Sequence, residues 1–407
     1  MKINKFLPLA FLFFFMNSFG LPYGLTYTAL LTPFFYYWII VKQRTEPLIP
    51  FLLILTPFIV AHLLQPVFEK AYYVSLVNVI GVYISCYAFA VFMKNNSSLD
   101  FIFKRLLQIN FLLCVIALLF YFTPFDHFFW IEQYLTEGFD QFQRLKMFTY
   151  EASHYATLLI PLFFYFFLQI MLKLNTISFF PLLVMILLPL LLSFSLGVIS
   201  AATVSIIVTY LIYGKTLTRR KRVFQFIFLS LATLVFGTVV LIIFFPSNPL
   251  FVRIVNIVSG VDASGNGRTV EAFILADKLL DLRNAWWGVG LGQIKIMGAD
   301  TIRDFYQYPA DYAISIPNAT AETLAIFGWI GFFLRLFIEV FLFFYTKVWQ
   351  NFYRLLLFFF IFIYQFTGSY VTNLAEYMIW ILAFINTFPQ FDVKHQGNRV
   401  SHFNFHK

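Results

Sequence analysis

VFQFIFLSLATLVFGTVVLIIFF, residues 223–245, runs for 23 residues without a charge and without any alternation of polar and apolar positions. A strand of a membrane barrel alternates over about 10 residues, whereas an apolar run of roughly 17–25 residues fits a helix across the hydrocarbon. Arg219, Arg220, Lys221 and Arg222 stand immediately before it, and Pro246 opens a polar stretch immediately after it. A basic cluster at a helix end is a topology determinant beside anionic lipid. The formal charge of +9 therefore calls for no nucleic acid.

The rest of the chain repeats this pattern. It is 61% hydrophobic and 12% charged, where a soluble domain is nearer half apolar and a quarter charged. The composition excludes a soluble enzyme and indicates an all-α polytopic integral membrane protein, one transmembrane domain over residues 1–407. Apolar runs predict about twelve spans, near 6–20, 24–41, 48–65, 72–93, 106–123, 155–172, 178–194, 196–213, 223–245, 319–346, 354–370 and 373–389. The start, 1–20, also resembles a secretory signal, with basic residues, an apolar core and small residues after it. It is read as an uncleaved first helix. Cys86 and Cys114 fall inside predicted spans and so report nothing about redox compartment.

Lys and Arg placement predicts orientation. The short segments of one side carry Lys42, Arg44, Lys94, Lys104, Arg105, Lys173, Lys215 and the 219–222 cluster, while the other side carries Lys70, Arg144 and Lys146. By the positive-inside rule both termini are cytoplasmic. Two excursions then face outward, a first loop over 124–154 and a large one over 246–318, between the ninth and tenth helices. Within the larger, 268–282 reads as a helix with Ala272, Leu275, Ala276, Leu279 and Leu282 on one stripe. Trp286 and Trp287 suit an interfacial anchor. The run Gly288-Val289-Gly290-Leu291-Gly292 lacks the strand and helix a nucleotide fingerprint needs, and reads as a tight turn bringing backbone close to the bundle.

Candidate chemistry gathers at outward positions. At 3.6 residues per turn, Glu151, His154 and Tyr155 share a face at the entry of the sixth span, with Arg144 two turns back if the helix extends that far. A carboxylate and an imidazole form an acid–base pair, and an arginine beside them binds an anion. Arg253 and Arg268 flank a Gly/Ser-rich stretch, a combination suited to phosphate, which guanidinium binds bidentately. Arg335 and Glu339, at i and i+4 within the tenth span, are expected to pair. Asn318 and Glu322 are weaker candidates near that span's outer end. The chain holds no HExxH, no Cys/His metal spacing and no P-loop, so the expected reaction uses no metal, cofactor or ATP.

Arg144, then Tyr150-Glu151-Ala152-Ser153-His154-Tyr155-Ala156, then Gly267-Arg268, Trp286 to Gly292, Pro317-Asn318 to Glu322 and Gly328 to Gly331 follow one another in order. That succession resembles the O-antigen polymerase (Wzy-type) and O-antigen ligase superfamily, over about residues 144–331. The resemblance implies a GT-C-like fold in the bacterial inner membrane with its active face periplasmic. It implies a substrate of oligosaccharide on undecaprenyl pyrophosphate, membrane lipids around it, and a chain-length regulator and a flippase as further partners. It assigns Arg144, Arg253 and Arg268 to the pyrophosphate and Glu151 or His154 to deprotonating the attacking sugar hydroxyl. Tyr155, Asn318, Glu322 and Arg335 are secondary. Ligases of this group tend to carry a His where this chain has Pro317 before Asn318, which favours polymerisation of repeat units for O-antigen, capsule or exopolysaccharide. A ligase acting on lipid A core and a non-enzymatic lipid-linked oligosaccharide flippase are the alternatives.

Overall fold

The computed structural model describes residues 10, 13, 21, 26–95, 99–133, 142–172, 174, 179–218, 267–306 and 315–394. Five helices there are long and apolar enough to cross a membrane: Glu69–Lys94, Leu99–Phe120, Ala152–Met171, Leu196–Gly214 and Ala319–Tyr345. Four shorter apolar helices, Leu48–Leu63, Phe179–Leu192, Phe352–Tyr364 and Leu374–Phe384, stand where the third, seventh, eleventh and twelfth spans were expected. The chain is thus a helical membrane protein. The opening run 223–245, the basic cluster before it and Arg253 lie outside the described residues. The expected second span is divided into Tyr27–Leu30, Thr32–Trp38 and a π turn at Ile39–Gln43. Pro33, in the first turn of the middle piece, lacks the amide that would continue the helix before it.

We number the main elements α1 (Leu48–Leu63), α2 (Glu69–Asn95), α3 (Leu99–Phe120), β1 (Trp130–Gln133), β2 (Phe142–Leu145), α4 (Ala152–Met171), α5 (Phe179–Leu192), α6 (Leu196–Thr218), α7 (Val270–Leu280), α8 (Ala319–Tyr345), α9 (Phe352–Tyr364) and α10 (Leu374–Phe384). Helix α4 is the centre of the bundle: 89% of its apolar window is buried inside the protein. It packs on α5, α6, α9 and α10. The first excursion forms an antiparallel hairpin in which Ile131 faces Arg144. The Trp130 indole donates to the Ala117 carbonyl at 2.9 Å and so ties that hairpin to α3.

Helix α8 is not the single rod its composition predicts. It breaks at Gly328, whose φ is 66° and ψ −169°. In a straight helix residues 319 and 335 would stand about 24 Å apart, farther than one side chain reaches. Arg335 Nη1 nevertheless lies 3.5 Å from the Ala319 carbonyl and 2.9 Å from Thr323 Oγ1. The arms 319–327 and 329–345 therefore fold back on each other.

Such a break strips backbone groups of their helical partners, a serious cost where water is excluded. Residues 285–290 supply replacements. The amides of Val289 and Gly290 donate to the carbonyls of Ala325 and Ile326, at 2.9 and 3.0 Å. The amides of Trp329 and Ile330 donate to the carbonyls of Ala285 and Trp286, at 3.0 and 3.2 Å. Contact is backbone to backbone. A Cβ on Gly288 would sit 2.4 Å from the Ile326 oxygen, and one on Gly328 would sit 2.3 Å from the Trp286 carbonyl carbon. The expected close-approaching turn at 288–292 exists, and its partner is the broken helix.

Two further fastenings hold this arrangement. Arg283 donates to Gln65 Oε1 and to the carbonyls of Val289, His62 and Pro66 at 2.6–3.0 Å. Helix α7 buries Ala272, Leu275, Ala276 and Leu279 as predicted, plus Leu280. Leu282 stays exposed because the helix ends before it. On the second arm, Arg335 reaches the first through Nη1, and its Nε contacts Glu339 Oε1 at 3.1 Å and Gln365 Oε1 at 2.9 Å, while Nη2 pairs with Glu376. Gln365 Nε2 closes the ring on Glu339 Oε2 at 2.7 Å.

Gly328→Ala is expected to destabilise by roughly 1–3 kcal/mol from its left-handed backbone alone, with the clash added, whereas Gly197→Ala, with nothing within 4 Å of the new methyl, leaves the thermal midpoint unchanged or higher. Thermal unfolding of the two purified variants in detergent separates these outcomes. Arg335→Met strands two buried carboxylates and is expected to cost about 3–5 kcal/mol, read in the same assay; a midpoint equal to wild type would show that the ring does not fasten the hairpin.

Candidate functional site

The approach to the central helix is shaped by Thr149. Its hydroxyl lies 2.7 Å from the Lys146 carbonyl and 2.9 Å from that of Glu151. Glu151 takes the N-cap position of α4 in extended conformation, with φ −148°. A carboxylate is favourable there because the first-turn amides point outward. Its Oε1 accepts from the Ser153 hydroxyl instead of capping the helix.

One turn in, His154 is 4% exposed, and neither ring nitrogen has a hydrogen-bond partner among the described residues. Buried polar side chains are nearly always satisfied, and leaving one unmet costs about 1–3 kcal/mol. Glu151 lies within electrostatic range of the imidazole. The ring packs on Tyr150, with centroids 4.8 Å apart and planes at 30°. A buried imidazole with open nitrogens beside a carboxylate can accept a hydrogen bond from a ligand hydroxyl.

The facing wall is the loop 365–373 between α9 and α10 together with the start of α8. Tyr370 and Tyr150 share a hydroxyl–hydroxyl hydrogen bond of 2.7 Å. Burial raises the Tyr370 phenol to about 12 and lifts Tyr150 well above its ordinary value. Both stay protonated at neutral pH and act as donors. Asn318 caps α8 by accepting from the Ala321 amide at 2.9 Å and the Thr320 hydroxyl at 2.8 Å. Its Nδ2 donates to the carbonyls of Arg268, at 2.8 Å, and Phe366, at 2.7 Å. All its hydrogen-bonding capacity is committed to structure, and it fixes the Arg268 backbone beside the loop.

Arg268 itself is half-buried. It and Glu151 act electrostatically on the same phenol, Tyr364. Its guanidinium makes no ion pair or hydrogen bond to a described residue. Glu322, one turn into α8, accepts from the Val371 amide at 2.6 Å and lies within range of Tyr370. Glu151, His154, Arg268 and Glu322 therefore come together around Tyr150, Tyr364 and Tyr370.

Other expected members do not join in the way their spacing suggested. Residue 144 lies on β2, not on an extension of α4, because the helix begins only at Ala152. Arg144 is buried, and its Nε donates to the Ser193 carbonyl at 3.0 Å. Tyr155 is fully buried and donates to Asn110 Oδ1 at 2.6 Å, so it holds α4 to α3. Arg335 is taken up by the ring and by Thr323 on the first arm of α8. Sequence reasoning missed Tyr370, which sits in an irregular loop with no motif, and quoted Tyr150 without a role for it.

A cavity of about 440 Å³ lies beside the site, between α1, α2, α8 and α10. Its walls are apolar, including Phe58, Tyr83, Leu334 and Trp380, and Arg335 and Glu339 contribute polar edges. Val371 lines it while the adjacent Tyr370 bonds Tyr150, so cavity and site share the 365–373 loop. Comparison with protein-family models, curated proteins and solved structures finds no match to this chain.

Proposed function

We propose that this protein is a membrane glycosyltransferase that joins oligosaccharide repeat units carried on undecaprenyl pyrophosphate into a surface polysaccharide. The observation that carries the reading is His154, buried beside Glu151 with neither nitrogen bonded among the described residues, near a tyrosine cluster on which Arg268 also acts. The resemblance to the O-antigen polymerase and ligase superfamily points the same way. In this reading the chain lies in the bacterial inner membrane, with both termini cytoplasmic, about twelve spans in a GT-C-like fold, and the site on the periplasmic face.

The chemistry follows from the charges. An attacking sugar hydroxyl loses its proton to His154 or Glu151 as its oxygen bonds to the anomeric carbon of the donor. The bond from that carbon to the phosphate oxygen breaks, and the lipid diphosphate leaves with the electron pair. Arg268 offsets the charge that accumulates there, an interaction strengthened where water is excluded. Arg253, outside the described residues, and Arg144, already engaged with Ser193, are the further cations of this reading. The apolar cavity that shares the 365–373 loop suits the isoprenoid chain of such a substrate.

Purified protein supplied only with lipid-linked repeat units is expected to lengthen the glycan. Transport without any change in glycan length would instead mark a flippase, and dependence on added lipid A core would mark a ligase. Arg268→Ala and Glu151→Gln are each expected to abolish chain growth while expression and thermal midpoint hold. Full-length polymer from both variants sinks the assignment.

A further inference from the structure

Two phenols that share one hydrogen bond still hold one hydrogen in reserve. Each carries a single O–H. Whichever of Tyr150 and Tyr370 donates across their 2.7 Å contact, the other keeps an O–H for a different acceptor. Among the described residues neither hydroxyl makes a second hydrogen bond. The pair is held from two sides. Tyr150 precedes the N-cap of α4 and stacks on His154, while Tyr370 follows Ser369, whose Oγ accepts from Asn373, and precedes Val371, whose amide and carbonyl are bound by Glu322 and Tyr377. The spare hydrogen is thus an oriented donor at the lip of the site.

The charges around it decide what it meets. Glu151 and Glu322 both lie within electrostatic range of Tyr370, with Tyr364 as a neutral neighbour, and Glu151 bears on Tyr150 as well. The arginine of the site acts on Tyr364 instead. Glu151 bears on both phenols and would repel a diphosphate there, so the phenol pair suits a neutral part of the substrate rather than the charged end of a lipid-linked donor. A sugar hydroxyl suits it. Its oxygen can accept from a phenol while its hydrogen goes to a carboxylate or an imidazole.

We infer that Tyr150 and Tyr370 form the acceptor-sugar subsite, in which the spare phenol O–H holds the oxygen of the attacking hydroxyl so that its hydrogen faces His154 and Glu151. This rests on the glycosyltransferase reading and adds to it the side of the site on which the neutral glycan binds. Held protonated by burial, the phenols serve as donors and not as bases.

The test compares wild type with Tyr370→Phe and Tyr150→Phe in the full-length protein. Three quantities are read: initial rate of glycan extension against concentration of the lipid-linked oligosaccharide extracted from the host membrane, affinity for farnesyl diphosphate as a sugar-free probe, and thermal midpoint. One lost neutral hydrogen bond corresponds to a drop of roughly two- to tenfold. That drop is expected at sub-saturating oligosaccharide as a raised KM, with farnesyl diphosphate affinity and thermal midpoint at wild-type values. Wild-type extension kinetics in both variants would overturn the inference. So would a matching loss of farnesyl diphosphate affinity, which moves the pair to the donor side, or a rate loss that tracks a fallen midpoint, which reduces the pair to a structural bond. If wild type itself neither extends the glycan nor binds farnesyl diphosphate, the glycosyltransferase reading fails, a result distinct from any of these.

Discussion

Four backbone hydrogen bonds between residues 285–290 and the broken centre of α8 carry the architecture. A helix interrupted inside an apolar bundle leaves amides and carbonyls that neither lipid nor side chains of Phe and Leu can satisfy. The interruption persists only because another backbone reaches it closely enough to bond, and a Cβ at Gly288 or Gly328 would occupy that space. Everything nearby inherits its position from this joint. The arm 319–327 places Asn318, Glu322 and Thr323; Arg283 holds the joint to the end of α1; and Arg335, oriented by Glu339, Gln365 and Glu376, keeps the second arm against the first through Thr323 and Ala319.

From that joint the site is built by division of labour between committed and open polar groups. Asn318 commits all of its side-chain hydrogen-bonding capacity within the protein, and Arg283 and Arg335 most of theirs. His154 does not, although it sits at the start of the most enclosed helix of the bundle. Other buried polar atoms among the described residues also lack a partner, but His154 stands beside a carboxylate at the site, which gives its open nitrogens a reason other than stability. Under the proposed chemistry that reason is the proton of an incoming hydroxyl.

The sequence made some of this legible and hid the rest for identifiable reasons. Apolar run length marked helices, and the stripe at Ala272, Leu275, Ala276 and Leu279 marked α7, because these signals are local. The i, i+4 spacing of Arg335 and Glu339 foretold their contact, but the other partners of Arg335, Ala319 and Thr323 on the first arm, Gln365 just past α9 and Glu376 on α10, are set by tertiary structure. Extending a helical face back to Arg144 failed because Met147 adopts a positive φ and residues 142–145 pair with β1. Tyr155 shared a helical face with His154 by counting, yet its hydroxyl finds Asn110 on α3, a contact that no periodicity announces. The fold-back of α8 was invisible for a similar reason. Its 27 residues read as one span, and only the distant Gly288 turn reveals that Gly328 interrupts them.

Tyr370 shows most plainly where such reading stops. It lies in a loop with neither helical nor strand period, yet it meets Tyr150, 220 positions away, at 2.7 Å. Its placement depends on Asn318 holding Phe366, on Glu322 holding Val371 and on Tyr377 holding the Val371 carbonyl. The first two of those bonds in turn depend on where the broken helix puts its first turn. The loop is therefore rigid as a consequence of the joint at Gly328, and a phenol on it can be aimed as firmly as one on a helix. The position of this loop residue is set by a backbone contact made about forty residues earlier in the chain, which is why residue type and spacing alone could not point to it.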